Sequence, residues 1–470
     1  MAQQFETTER NAMRGTCISF ILMLFFLALS CSDDGTGPEG GSLVSGTVTI
    51  NGSTDHSGVT VSFFPVNEQD SILSNYYSKH PQVGVDPESA VLFDHTIAQA
   101  AVSATTDSDG NWKVELSQNQ PYHIVFQKDG LGWRYFLNQQ DFSSKINVSM
   151  SPAVRITSGT ISDARVFSGD FISLEGNVLV ESGGSLTFDG INYLSFNGNN
   201  QLIVQGTITM NNGAELRIFN ASTVSNVSGK FSIENNNALN LNNIFSFDNT
   251  EVRISNSEGT IANSVFKNAN GASLRLRAFS GILRNSLLFD SQRGTVIDQS
   301  SGVTLRACVF YSNESDVEAI TAGSINVVGN IFRNSDVNVD FISVGGLIKN
   351  NEFNNATLNI SIADISSVRV LSNNFLNSQK NIENFQISHQ GNDTEIIAHT
   401  NNFLNTDQFV IDITLGIKDS LLASQNYWNA ANIFEIENLI QDGRDFPGSN
   451  IKLVSYVPFE TSRIDTVGVQ

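Results

Sequence analysis

Ile348-Lys349-Asn350-Asn351-Glu352-Phe353-Asn354-Asn355 is answered 22 residues later by Val370-Leu371-Ser372-Asn373-Asn374-Phe375-Leu376-Asn377. Outward from this pair, Phe245, Phe266, Phe310, Phe332, Phe353 and Phe375 recur, with Leu288 in the one gap. The successive spacings are 21, 22, 22, 22, 21 and 22 residues. A unit this short cannot close a core of its own and has to stack on its neighbours, so the period implies a solenoid. Within the period the residues are Val, Ile, Leu, Phe and Asn, with few Ala, which favours strand over helix.

Further columns appear when the units are aligned on the aromatic. Five residues before it stand Ile261, Leu283, Leu305, Val327, Ile348 and Val370. Two residues before it stand Ser264, Ser286, Cys308, Asn330, Asn351, Asn373 and Asn401, and two after it Asn268, Asp290, Ser312, Asn334, Asn355, Asn377 and Asn405. Parallel neighbours stack like residues about 4.8 Å apart. The aliphatic and aromatic columns are therefore expected to fill the bore. The Asn columns are expected at corners, where Asn tolerates left-handed backbone and its amide can bond the next turn. Cys308, sharing one of these columns, is expected to be an inert buried thiol.

These I-x-N-N-x-F-x-N units resemble the right-handed parallel β-helix of the pectin-lyase-like superfamily, and the resemblance runs from 156 to 460. Its closing segment matches too: Gln425-Asn426-Tyr427-Trp428, Ile440-Gln441-Asp442 and Val454-Ser455-Tyr456-Val457-Pro458-Phe459, which in that superfamily caps the last coil. Ahead of it, residues 43–150 carry alternating strands such as Val44-Ser45-Gly46-Thr47-Val48-Thr49-Ile50 and Tyr122-His123-Ile124-Val125-Phe126, and the turn Asp107-Ser108-Asp109-Gly110-Asn111-Trp112. Together these resemble the carboxypeptidase-regulatory-like, transthyretin-type β-sandwich, except that Asn67–Ala100 is an insertion foreign to that pattern. The expected fold class is thus all-β: a right-handed parallel β-helix preceded by a small antiparallel β-sandwich.

Arg10 and Arg14 precede an apolar run, Ile18–Leu29, of about a dozen residues, shorter than the roughly 20 that span a bilayer. The following Leu27-Ala28-Leu29-Ser30-Cys31 resembles a bacterial lipobox. This implies a signal peptide over 1–30, an acyl group on Cys31 and a membrane anchor through that lipid. Residues 31–42 are acidic and Gly-rich, as a flexible tether is. The Cys-Ser-Asp-Asp start resembles export signals of surface lipoproteins in Bacteroidetes-like bacteria, implying the outer membrane, exposed at the cell surface. Residues 461–470 form a tail. With Cys17 removed and Cys31 acylated, Cys308 has no disulfide partner.

The chain holds 47 acidic against 26 basic residues, a net charge of −21. Such a surface repels nucleic acid, which is excluded as a partner. An extracellular polysaccharide is the partner that the resemblance suggests.

Enzymes of the superfamily cleave uronic-acid polysaccharides by hydrolysis or β-elimination, and each chemistry has needs that can be sought in the chain. Hydrolysis needs two carboxylates flanking the scissile bond. Of the hydrolase motifs only N-T-D occurs, as Asn405-Thr406-Asp407 in a corner column; G-H-G and R-I-K are absent. Elimination needs a base and a cation to hold the enolate. Arg284, Arg306, Lys349 and His399 share one position, four residues before the aromatic, although Val328 and Leu371 interrupt the stripe. His389 lies in a polar segment, Ser388–Thr394, inserted between Phe375 and Phe403, which is either a tolerated surface loop or part of a binding site. These five residues are the candidate ligand-binding set, and no catalytic residue, metal site or cofactor is assigned. The alternation Glu314, Asp316, Glu318 is a minor Ca²⁺ candidate. Two readings follow. The favoured one is a surface lipoprotein presenting a β-helix rod for carbohydrate binding, adhesion or envelope structure. The alternative is a polysaccharide lyase or other carbohydrate-active enzyme acting on uronate-containing glycans.

Overall fold

The computed structural model describes residues 42–66, 71–116, 120–222, 227–364, 366–385, 395–413, 421–448 and 451–469. The signal segment, Cys31, the tether up to residue 41, and His389 lie outside the described residues. Ser42–Gln470 is one compact unit.

Ser42–Met150 contains two small sheets. In one, Thr60–Pro65 is flanked by Val102–Thr105 and Tyr122–Gln127, and Arg134–Gln139 pairs with the latter, all antiparallel. In the other, Ser42–Ile50 pairs antiparallel with Asn111–Leu116, but its second partner, Ile146–Met150, returns parallel. Alternation buries Val44, Val48, Trp112, Val114, Phe63, Ile124 and Phe126 between the sheets. Asp107 Oδ1 accepts the amides of Asp109 (3.0 Å) and Asn111 (2.8 Å), so this carboxylate shapes the turn.

From Val154 onward the chain is a parallel β-solenoid with three faces. Strands such as Val265–Lys267, Leu287–Phe289, Val309–Tyr311, Ile331–Arg333 and Glu352–Asn354 form the first face. Ala272–Arg277, Arg293–Asp298, Ser315–Ile320, Val337–Ile342 and Leu358–Ala363 form the second. Ser280–Arg284, Val303–Arg306, Ser324–Val328, Gly345–Lys349 and Ser367–Leu371 form the third. Phe266, Leu288, Phe310, Phe332, Phe353, Phe375 and Phe403 point into the bore with the aliphatic column from Ile261 to Val370. Neighbouring rings from Phe310 to Phe403 stack with centroids 4.8–5.0 Å apart, the coil spacing itself. Trp428 ends the stack, 5.2 Å from Phe403.

Phe245 departs from the expected column. Its register partner is Val265, and Ser246 is the residue opposite Phe266. A slip of one residue turns a strand side chain to the opposite side, so Phe245 lies outside the bore, and Ile244 joins the core.

The two Asn columns divide their tasks. Asn268, Asp290, Ser312, Asn334, Asn355, Asn377 and Asn405 all adopt positive φ, between 51° and 59°, at the corner from first to second face. In the other column the left-handed residue is the one before, as at Asn285, Ala307, Asn350, Ser372 and Thr400. The column itself points inward as a fully buried ladder: the backbone amides of Cys308, Asn330, Asn351, Asn373 and Asn401 each donate to the Oδ1 of the Asn in the next coil, at 2.8–2.9 Å. Cys308 is buried within it, its thiol pushed up to about 12 by loss of solvent.

The insertion between the second and third strands of the sandwich is one of the elements that join the two parts. A helix, Ser71–Lys79, and a short turn of helix, Ser89–Leu92, lie against the first face. Leu73, Tyr76 and Val83 pack onto Phe245, Phe247, Val265, Leu287, Phe289, Val309 and Ile331. Gly84 donates to Ala307 O at 2.8 Å with φ +79°, and a Cβ there would stand 2.8 Å from Val309 Cγ2. The C-terminal tail covers later coils of the same face. Asn374 Nδ2 donates to Val467 O (2.9 Å), and Asn402 both donates to Ile464 O and accepts from Ile464 N, each at 2.9 Å.

Candidate functional site

With the first face occupied by the chain's own segments across these coils, ligand chemistry falls to the second and third faces and to the junction with the sandwich.

On the third face the expected cationic stripe is in register. Arg284, Arg306, Val328, Lys349, Leu371 and His399 occupy one column in six successive coils. Arg284 and Arg306 are exposed, Lys349 and His399 half-buried. Arg369, exposed beside Leu371, was not part of the expected set; burial and then the Arg369 charge hold the His399 imidazole below its ordinary pKa. Among the described residues, no ion pair involves Arg284, Arg306, Lys349 or Arg369. His399 Nε2 lies 3.3 Å from Ser424 Oγ.

The second face carries a column that the reading of the sequence missed. Arg253, Arg275, Val296, Glu318, Asp340, Ser361, Glu383 and Asp412 stand in register in consecutive coils. Its cations are neutralised at home: Glu251 pairs with Arg253 (2.7 Å) and Arg275 (2.9 Å), and Arg293 with Glu318 (2.7 Å). Lys380 bridges Asp412 (2.6 Å) and Glu383 (3.2 Å); burial works against its charge, but these bonds outweigh that and raise its pKa. Asp340 differs from its neighbours. Burial, helped by the Glu318 charge in the preceding coil, raises its carboxyl pKa, while the 2.7 Å bond from Ser361 Oγ opposes this.

The triplet Glu314, Asp316, Glu318 does not converge on a common point. Asp316 is turned into the protein, bonded to Asn313 and Ser335, whereas Glu318 faces Arg293 on the outside. Asp316 and Val317 are both buried within the strand Ser315–Ile320, so simple alternation fails there, and among the described residues these carboxyls form no cation cage. Asn405-Thr406-Asp407 is likewise structural at its first two positions: Asn405 turns the corner with φ 57°, and Thr406 Oγ1 accepts from Asn381 at 2.7 Å.

At the junction, Phe93, Asp94, His95 and Tyr135 meet Tyr193, Arg217, Phe219 and Phe247 around a small cavity of about 10 Å³. That is roughly what one water needs, so the junction is a packed interface and not a substrate site. Tyr135 stacks on Tyr193 at 4.4 Å, and Trp133 on Phe219 at 5.5 Å. Desolvation lowers His95 to about 4, with Asp94 pulling the other way.

No family model matches the chain, and no curated protein matches it. Among solved structures, the catalytic unit of the thermostable GH87 α-1,3-glucanase from Streptomyces thermodiastaticus strain HF3-3 is similar over 90% of this chain and 89% of that one, with 10% identity and a TM-score of 0.37. A GH87 α-1,3-glucanase catalytic domain in complex with tetrasaccharides is similar over 89% and 88%, with 9% identity and a TM-score of 0.26. Likeness at these scores carries nothing about chemistry, which has to come from the residues above.

Proposed function

We propose that this chain is a carbohydrate-binding β-helix protein whose third face holds an anionic glycan along Arg284, Arg306 and Lys349, with Arg369 and His399 extending the strip. One observation carries the reading: in a chain of net charge −21, these cations share a face and have no carboxylate partners among the described residues, whereas Arg253, Arg275 and Arg293 on the second face are all paired. Unpaired guanidinium groups in adjacent coils offer forked donors to carboxylates or sulfates spaced along a polymer. Anchoring at the cell surface through acylated Cys31 belongs to the same proposal and rests on the sequence. Affinity electrophoresis in gels containing a polyuronate or a neutral glucan tests the ligand. Retardation by the polyuronate alone, weakened by salt and lost in the Arg284→Ala/Arg306→Ala double variant, supports it; equal retardation of wild type and variant overturns it. Cys31→Ser should move the protein from the membrane to the soluble fraction.

A second reading, glycan cleavage, is favoured by the contrast between Asp340 and Glu318. One carboxyl is biased toward its protonated form, and the other is paired with Arg293 in the adjacent coil. They stand opposite one another in neighbouring coils, so two carboxyls of unlike protonation share one stretch of the second face, as acid and base at a glycosidic bond must. Release of reducing ends from a glycan panel, abolished in Asp340→Asn, would favour this reading over simple binding.

A further inference from the structure

A second amide ladder runs inside the corner between the first and second faces. Asn338, Asn359 and Asn381 are buried in consecutive coils. Asn338 Nδ2 donates to Asn359 Oδ1 at 2.6 Å, Asn359 Nδ2 to Asn381 Oδ1 at 2.6 Å, and Asn381 Nδ2 to Thr406 Oγ1 at 2.7 Å. Every donor points toward the later coil, so the ladder begins with an acceptor, Asn338 Oδ1, and that atom has no partner. In the preceding coil, the register pairs Ser315 with Val337 and Val317 with Val339, which sets position 316 beside position 338. Asp316 is fully buried there. Its Oδ1 accepts from Asn313 Nδ2 (2.8 Å) and Ser335 Oγ (2.7 Å), and its Oδ2 has no partner.

Two buried oxygens in neighbouring rungs, each lacking a donor, are both satisfied by a single proton. We propose that Asp316 is held as the neutral carboxylic acid and donates its Oδ2–H to Asn338 Oδ1, forming the proton-bearing head of the ladder. The rival arrangement reverses all three amides and ionises Asp316. It would bury a carboxylate with no cation to offset it, which is far costlier than burying the acid. Loss of solvent pushes the Asp316 carboxyl well above the ordinary range; the bonds from Asn313 and Ser335 oppose the shift, and no charged group contributes. Glu318, two residues on, faces outward to Arg293.

The consequence is a pH-sensitive coil in the middle of the solenoid. Because the folded pKa lies above the unfolded value near 3.8, this contribution to stability is complete below that value and declines as pH rises toward the folded pKa. Asp316→Asn is the informative variant: the new Oδ1 still accepts from Asn313 and Ser335, and the new Nδ2 donates to Asn338 Oδ1. Thermal unfolding of the full chain from pH 4 to pH 8 should show the difference, variant minus wild type, growing with pH to about 2–4 °C or more in favour of the variant. A difference that is flat with pH, or a variant less stable at pH 8, overturns the proposal. Infrared spectroscopy of wild type at pH 7 with ¹³C-labelled aspartate gives an independent reading, which decides the matter if the variant fails to fold. A carbonyl band of a protonated carboxyl that persists in the Asp248→Asn/Asp340→Asn variant, where the other two aspartates raised by burial are removed, supports the assignment, and its absence overturns it.

Discussion

The guanidinium of Arg333 lies over the ring of Tyr76, 4.8 Å from its central carbon to the ring centroid, and donates to the Tyr76 hydroxyl. The two residues are 257 positions apart. This contact locks the insertion of the sandwich onto the outer side of the first face, where Asn354 Nδ2 adds a 3.3 Å bond to the same hydroxyl.

Tyr76→Ala should therefore destabilise the whole unit by about 3 kcal/mol, as removal of a buried aromatic ring generally does. Arg333→Ala should cost less, about 1 kcal/mol, because the ring keeps its apolar neighbours. Denaturant unfolding measures both, and limited proteolysis should show faster cleavage within 67–100 in Tyr76→Ala. Unchanged cleavage would mean that the insertion is held elsewhere.

The Asn ladder predicts a graded series. In Asn351→Ala the amide and side-chain nitrogens of Asn330 lose their shared acceptor and Val327 O loses its donor. With roughly 1–3 kcal/mol for each buried group left unpaired, a loss of about 3 kcal/mol is expected. Asn351→Ser should be milder, since Ser264 and Ser286 hold the same position in earlier coils and still accept a backbone amide at 3.2 Å. Equal losses for the two variants would contradict the ladder as the source of stability.

His95 makes the junction acid-sensitive. Its folded pKa of about 4 lies below the ordinary 6.5, chiefly because burial disfavours the charged ring. The neutral ring's contribution is present above pH 6.5 and is lost as pH falls through 4, amounting to about 3 kcal/mol by linkage. Trp133, 4.9 Å from the imidazole, is the natural reporter. Stability followed by its fluorescence should fall between pH 6.5 and 4, and His95→Phe should flatten that limb.

Cys308 should resist alkylation in the native state. Its thiol is fully buried, directed at Leu283 O (3.7 Å) and Arg306 O (3.5 Å), and raised to about 12. Peptide mapping after iodoacetamide should find Cys308 modified only when denaturant is present.

Much of the architecture was legible because a solenoid writes its geometry as a period. The bore column from Phe266 to Phe403 and the left-handed column from Asn268 to Asn405 are both readable from spacing alone. Phe245 was misassigned because an aromatic at nearly the right interval satisfies the period without revealing which side of the strand it occupies. The second-face carboxylates also left a signal: Glu318, Asp340, Ser361 and Glu383 are separated by 22, 21 and 22 residues. The signal is weak because the same column also holds Arg253, Arg275, Val296 and Ser361, so no one residue type marks the period. The apolar triplets Leu287-Leu288-Phe289 and Val309-Phe310-Tyr311 lack the alternation of a half-exposed strand, which is how strands buried on both sides read.

By itself, then, the sequence determined the solenoid, its bore and its corners, since each follows from local spacing repeated between adjacent coils. Only the tertiary structure decided which face is open. The insertion at 71–92 and the tail at 464–469 reach the first face across separations that no period encodes. Burial by such distant segments closes the first face, and so decides where a ligand can approach.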